Sequence, residues 1–319
     1  MTGTTGDKTP ASSVVDRVVA SIPSDLPDEQ RLLMEPFVRM YLRRLPEVEL
    51  PDLSPEQLLA EICDLLEFVS DRPSGDSKIR VFKPQGGECG YTTPGSVVQV
   101  VSDDRTFLVD SVSAAVATAD ATVVRHLHPL IGTVRDDEGS LTGIIKARGA
   151  SRRESVQHFE LDRELSEEES EALEAAIHRT LIDISKVVSD FEPMRAIVGT
   201  MIRTAKAGVH RYSFEEISET VSFLEWLLED NFVFLGYRRY NIEERDEGAC
   251  ILADVSTGLG ILRDSESEPT AVPLADLPPH LQERYLGGDL LVISKTNRHS
   301  TVHRDARMDY IGLRHIGAD

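Results

Sequence analysis

A chain of 319 residues has room for about two domains with buried cores, which excludes a small disulfide-stapled scaffold. Hydrophobic residues make up 40% and charged residues 28%, so neither wholesale disorder nor a membrane protein fits. Lys and Arg total 34 against 55 Asp and Glu, and a net charge of −21 makes nucleic acid and anionic membrane poor partners.

In chain order, residues 1–13 read as a flexible tail rich in Thr, Gly, Ser and Pro. A helical region follows over 14–72. Leu32, Leu33, Phe37, Met40, Tyr41 and Leu45 recur at helical spacing. Ser54-Pro55-Glu56-Gln57 supplies an N-cap, a proline at the first helical position and a capping-box partner for the stripe Leu58, Leu59, Ile62, Leu65, Leu66. Asp71 to Ser77 breaks the pattern and marks a linker.

The segment 78–191 reads as an α+β domain. Val97–Val101 is a β-branched strand, and Phe107–Ala119 is an amphipathic helix after the Asp103-Asp104 turn. Ala121–Val134, Leu141–Ala147 and Val156–Leu161 are strand-like. Ser166 opens a capping box for a long helix through Leu173, Ile177, Leu181, Ile184 and Val188. That order predicts an antiparallel sheet with its helices on one face. A helical connector is expected over 192–230, from Met194–Ala207 and a helix capped at Ser213. The remainder, 231–319, reads as a second, mainly β unit with strands near Phe232–Tyr240, Cys250–Asp254, Gly260–Leu262, Leu290–Lys295 and Asp309–Ile316. The last strand precedes Gly317-Ala318-Asp319, the start of a turn with no returning strand, so this unit is expected to be incomplete at its C-terminus and its edge exposed.

Candidate chemistry is sparse. No GxGxxG or GxxxxGK[ST] fingerprint is present, and no serine sits in a GxSxG turn. Cys63, Cys89 and Cys250 lie far apart without a CxxC pair, which gives neither a disulfide framework nor a zinc-site spacing. His126 and His128 share one strand face, and His158 on another strand is a conceivable third metal ligand, although structural histidines explain the pattern more simply. No catalytic or metal-binding residue is therefore assigned. Two segments suit an anionic effector. One is Asp103-Asp104-Arg105-Thr106, where a helix begins. The other is the basic cluster Lys295, Arg298, His299, His303, Arg304 and Arg307, where guanidinium forks match carboxylate or phosphate. The ordinary alternatives are an Asp cap and intrachain ion pairs. The chain start lacks a basic and apolar export signal, and no run approaches about 18 apolar residues, so a cytoplasmic address is expected.

A series of segments resembles the N-terminal region of the large bacterial NAD-dependent glutamate dehydrogenases. They are Ser102–Val112, His128-Pro129-Leu130, Glu154–Asp162, Phe223–Leu227, Asn231–Arg238, Gly258–Arg263, Ser300–Arg304 and Asp309–Gly312. The resemblance implies ACT-type domains joined by helical segments, ACT/PAS-like in the second unit, with the NAD-binding catalytic domain elsewhere in the parent chain. It implies a regulatory and assembly role in glutamate catabolism, no cofactor in this segment, and NAD in the parent. The implied partners are the rest of that chain, further copies in a homo-oligomer, and an amino-acid effector or small regulatory protein. One departure stands out: a standard ACT unit closes with a strand after its second helix, whereas Phe191-Glu192-Pro193 leads into another helix. The alternatives are a free-standing amino-acid-binding ACT-like sensor and a metal-dependent enzyme built on the three histidines.

Overall fold

The computed structural model describes residues 14–44, 54–245, 248–263, 271–277, 279, 282, 285 and 287–315. The expected tail at 1–13 and the turn at 317–319 lie outside them. The chain divides into two compact units, one of Met1–Asp104 with Val112–Arg179, the other of Arg105–Ser111 with Thr180–Asp319.

The first unit begins with α1 (Val14–Ala20), α2 (Asp28–Tyr41) and α3 (Pro55–Ser70). The capping box at the start of α3 forms as expected, with Ser54 Oγ accepting from Gln57 N at 3.2 Å and Gln57 Oε1 accepting from Ser54 N at 3.1 Å. Then come β1 (Lys78–Phe82), the short α4 (Gly86–Cys89), β2 (Val97–Asp103) and α5 (Leu108–Val116). The strands β3 (Val123–Leu127), β4 (Leu130–Arg135), β5 (Leu141–Lys146) and β6 (Arg153–Leu161) precede α6 (Glu167–Ser189).

The sheet runs β1-β2-β6-β4-β5, with β3 also paired to β6, and every pairing is antiparallel. The single strand expected over Ala121–Val134 is two. Pro129 has no N–H to give to a ladder, so β3 stops at Leu127, and β3 and β4 lie end to end along one side of β6. The place of the missing closing strand is taken by β1, at the start of the 78–191 segment, which pairs with β2 and forms that edge of the sheet. Val81 N in β1 donates to Glu174 Oε1 at 2.6 Å, which occupies one of its outward groups.

The expectation placed the two helices of the 78–191 segment on one face; the structure adds the N-terminal helices as a second layer on the other. Val101, Leu127, Ile131, Leu141, Ile144 and Val156 share one core with Phe37, Val38, Leu58, Ile62, Leu65 and Val69 of α2 and α3. The opposite face, with Val98, Val100, Phe159 and Leu161, is buried too, and α5 and α6 turn buried Val112, Val116, Leu173 and Ile177 inward. Continuous apolar strands such as β2 fit burial on both faces. The core thus runs without a break past the expected linker at Asp71–Ser77, and the N-terminal helices are a layer of this unit. No helix among the described residues is long and apolar enough to cross a membrane.

The second unit contains α7 (Phe191–Ala207) and α8 (Phe214–Trp226), the latter capped by Ser213 Oγ accepting from Glu216 N at 3.1 Å. Its strands form two small sheets. One orders β7 (Gly236–Arg245), β8 (Gly248–Gly260) and β9 (Val272–Pro273), and the other is the hairpin of β10 (Leu291–His299) and β11 (Arg307–Leu313). In that hairpin Asp309–Leu313 pairs antiparallel with Leu291–Lys295, and the returning strand expected to be missing after Gly317 falls outside the described residues. Leu290, Ile311 and Leu313 pack on apolar residues of α7 and α8, including Val198, Val221 and Leu224.

Gly95 shows how closely the first unit is packed. A Cβ there would lie 2.2 Å from Arg163 O and 2.4 Å from Arg163 N, both backbone atoms. Gly95→Ala is expected to lower stability by about 1–3 kcal/mol in urea titrations. Gly87→Ala, with nothing within 4 Å, should leave the midpoint nearly unchanged.

Candidate functional site

The densest polar constellation in the first unit lies between the helical layer and the sheet, and sequence reading did not find it. Strand alternation places Gln99, Glu154, His158 and Glu160 on one face, the face that also carries Val156 toward α2 and α3. Glu154 is fully buried. Its carboxylate receives Arg135 Nε and Nη2 at 2.8 Å each, Arg72 Nη2 at 2.8 Å, Thr133 Oγ1 at 2.8 Å and Arg152 Nε at 3.1 Å. Desolvation alone would raise its pKa, but the hydrogen bonds from Arg135 and Arg72 outweigh it and hold the carboxyl down to about 2. Arg72, also fully buried, reaches Asp103 Oδ1 at 2.6 Å with the same Nη2. Arg135 goes on to Val69 O at 2.8 Å and Ser70 O at 3.2 Å, satisfying carbonyls at the C-terminus of α3. Gly139 completes the joint: its carbonyl accepts from Arg135 Nη1 at 2.7 Å and Arg72 N at 3.1 Å. Its φ of +95° and a Cβ position 2.7 Å from Arg72 O call for glycine.

A second cluster sits nearby on the same face. Arg125 Nη2 bridges the carboxylates of Glu61 from α3 and Glu160 from β6, and Tyr41 Oη donates to Glu61 Oε1 at 2.6 Å. Burial and the adjacent Glu61 carboxylate hold the Tyr41 hydroxyl well above its ordinary pKa, so it remains a donor. Desolvation would raise Glu160, but the nearby His158 ring and the hydrogen-bonded Arg125 guanidinium bring it down to about 2.

Glu61, His158 and Glu160 have the composition of a metal site, with ligand atoms within 4.8 Å of one another. The hydrogen bonding argues against one. Arg80 Nε, which can only donate, bonds Gln99 Oε1 at 2.7 Å, so the Gln99 amide presents its NH2 to His158 Nδ1 at 3.2 Å. Nδ1 is then the acceptor and the proton of a neutral ring sits on Nε2, which faces the carboxylates at 3.6 and 3.8 Å. No nitrogen lone pair points where the ion would be, and Arg125 already supplies the positive charge.

The three-histidine enzyme reading is overturned. His126 stacks on Phe159 at 3.9 Å and His128 Nε2 bonds Ser155 Oγ at 2.9 Å, whereas His158 lies one register position away from Phe159 and so on the other face. Burial, then the neighbouring His128 and His158, push His126 down to about 4.

The expected effector residues fall in both units. Asp103 and Asp104 are engaged by arginines, Asp103 by Arg72 and Asp104 Oδ2 by Arg153 at 3.3 Å. In the second unit, Arg105 O accepts from Leu108 N, and Thr106 is exposed. Lys295 pairs with Asp309 at 2.6 Å, His299 with Asp305 at 2.5 Å, and Arg307 bonds Thr296 O and Asn297 Oδ1. Arg298 and Arg304 are exposed. His303 is the exception: its backbone N donates to Ser111 Oγ at 2.8 Å, and its ring lies 5.2 Å from that of Phe107. The two best-formed hollows do not suit a dinucleotide. One of about 320 Å³ is lined by Asp120, Thr122, Asp162 and Arg163, whose polar groups already pair with one another or with Glu169. The other, of about 290 Å³, is apolar and bordered by Met34, Leu59 and Cys63.

With this geometry in place, the comparisons locate the chain. Residues 37–177 match the family described as glutamate dehydrogenase, ACT1 domain. That span starts inside α2 and ends inside α6, so it takes in both polar clusters and α3. An NAD-specific glutamate dehydrogenase of Halomonas elongata is 28% identical over 295 residues, 91% of this chain and 18% of that protein. Its counterpart in Pseudomonas aeruginosa is 29% identical over 265 residues, 79% of this chain and 16% of its own. A third, from Mycobacterium tuberculosis, is 24% identical over 196 residues. Residues 37–177 are therefore similar to the glutamate dehydrogenase ACT1 domain, and the similarity to NAD-specific glutamate dehydrogenases extends well beyond that span. The chain spans less than a fifth of the length of these relatives.

Removing Arg125 should expose the electrostatic balance. Arg125→Met leaves two buried carboxylates facing each other and is expected to cost about 3–5 kcal/mol, and adding Glu61→Gln should recover part of that loss. The pH dependence follows from the shifts. Glu154 and Glu160, held near 2, contribute stability that is complete above the unfolded carboxylate range near ~4.3 and is lost as pH falls toward 2. His126, held near 4 against about 6.5 unfolded, makes the unfolded state the better proton acceptor, so stability declines as pH falls from about 6.5 to 4. Denaturant titrations at about pH 7, above both windows, and at about pH 5 and about pH 3, near their centres, should show two successive losses, and His126→Phe should remove most of the first.

Proposed function

We propose that this chain is the N-terminal regulatory and assembly region of a large NAD-dependent glutamate dehydrogenase. The parent reaction is L-glutamate, NAD and water going to 2-oxoglutarate, ammonium and NADH in the cytoplasm. The observation carrying this reading is the pairing of a glutamate dehydrogenase ACT1 domain at residues 37–177 with similarity over 91% of the chain to an enzyme of which the chain spans 18%. Catalysis and NAD binding are assigned to the rest of the parent polypeptide, because this sequence carries no glycine-rich phosphate-binding fingerprint. The region acts by binding an amino-acid effector or a small regulatory protein, and by contacts between copies in a homo-oligomer. Such an effector alters the distant active site only by binding two arrangements of the region unequally. The helical layer locked to the sheet supports this role, since it forms a stiff body through which a shift at one surface reaches another.

Calorimetric titration of the chain with aspartate, arginine and glutamate tests the effector arm. At least one is expected to bind, and Arg105→Ala or Arg298→Ala should weaken it; heat from none of the three removes the sensor role. Assayed alone with glutamate and NAD, the chain should produce no NADH, and measurable turnover would overturn the division of labour.

A further inference from the structure

The two edges of the sheet in the first unit are built differently. At β1, Val81 N is bonded by Glu174, and Arg80 lies over the rings of Phe68 and Phe82. Charged and covered edges of this kind discourage strand addition. At the other edge, β5 pairs only with β4 among the described residues. A bridge from Asp71 to Ser140 closes the start of that edge, which leaves Thr142–Lys146 open. Beside it lies an uncovered apolar strip. Gly132 pairs with Ile145 and Val134 with Gly143, so Leu130, Val134 and Ile145 project from the same face, and they are 38%, 47% and 47% exposed.

Charge is arranged along this edge with opposite signs at its two ends. Asp71, Asp136, Asp137 and Glu138 are exposed around the start of β5, and Lys146 and Arg148 are exposed at its finish. An antiparallel copy of the same strand brings each acidic end beside the other's basic end, whereas a parallel copy sets like charges together. We propose that β5 is the seam of a two-fold dimer, in which Thr142–Lys146 pairs antiparallel with the same segment of a second copy. Centred on Ile144, this register sets Thr142 opposite Lys146. Ile145 of each copy then lies opposite Gly143 of the other, where no side chain fills the space next to Val134. The contact is isologous, so every favourable pairing occurs twice, and the two sheets become continuous. The inference stands on this edge alone and does not depend on the region being regulatory.

Sedimentation of the whole chain across micromolar concentrations should show a reversible monomer–dimer equilibrium. Lys146→Glu with Arg148→Glu should weaken it by about tenfold or more, as should Asp136→Lys with Asp137→Lys and Glu138→Lys. Mixing the two reversed proteins should restore association as a heterodimer. Hydrogen exchange on the unaltered chain gives a reading independent of any variant: the amides of Thr142–Lys146 should slow as concentration rises. A chain that stays monomeric at all concentrations overturns the proposal. So does a dimer insensitive to both reversals, a mixture that fails to associate, or exchange at β5 that is independent of concentration. None of these outcomes bears on effector binding, which the titrations above decide separately.

Discussion

Glu154 has no exposed surface, and three guanidinium groups converge on it, Arg135 from a strand neighbour, Arg152 from a loop and Arg72 from two residues past the end of α3. Removing a carboxylate and its cations from water costs several kcal/mol per ion, and the mutual attraction offsets this only where geometry is good and remaining hydrogen-bonding positions are filled. Here they are largely filled. Arg135 grips the carboxylate with two nitrogens and extends its third to backbone carbonyls of α3 and Gly139. Such a cluster is weak evidence for net stability over an apolar alternative. Its stronger effect is positional, since sliding α3 along the sheet would strand buried charge.

The Arg125 cluster fixes a second point on the same helix, and Asp64 a third, accepting from Arg80 Nη2 at 2.7 Å and Tyr91 Oη at 3.0 Å. Three polar attachments along α3 determine its rotation as well as its position, which apolar packing does only loosely. The helical layer is thereby part of the first unit. The family match beginning at Phe37, upstream of the sheet, agrees with that physical account.

Much of the architecture was legible in the sequence because the signals are local. Ser54, Ser166 and Ser213 announce helix starts through side chains bonding the next turn, and the β-branched run of β2 needs no distant partner to be recognised. What escaped is set by tertiary contact. Burial on both faces, the role of β1 as an edge strand and the division at Pro129 all depend on which strands meet. The buried clusters left a faint trace: Glu61 interrupts the apolar stripe between Leu58 and Leu65, and Glu154, His158 and Glu160 fall at even spacing in a strand whose other positions are almost all buried. Periodicity marks such residues as inward-facing, but the abundance of acidic residues masks the signal, and only register shows that Arg125 stands opposite Glu160. The basic stretch at Lys295–Arg307 is the reverse case. It stands out in sequence, yet several of its charges are already met by neighbours in the hairpin and its loop.

Two of the strings that carry the family resemblance, Ser102–Val112 and Ser300–Arg304, supply residues that touch in the second unit. Phe107 and His303 both adopt the left-handed backbone region, at φ of 69° and 73°, and their rings face each other. For side chains of this size each such conformation costs about 1–3 kcal/mol and persists only where the surroundings over-determine it. Ser111 does so from both sides: its hydroxyl donates to Phe107 O at 2.6 Å and accepts from His303 N at 2.8 Å. Val302 is buried beside it, and Thr301 donates to Asp183 at 2.6 Å. The residue types at Phe107, Ser111, Thr301, Val302 and His303 are therefore accounted for by a contact inside the protein. At these positions the side chains hold a loop against the first turn of α5.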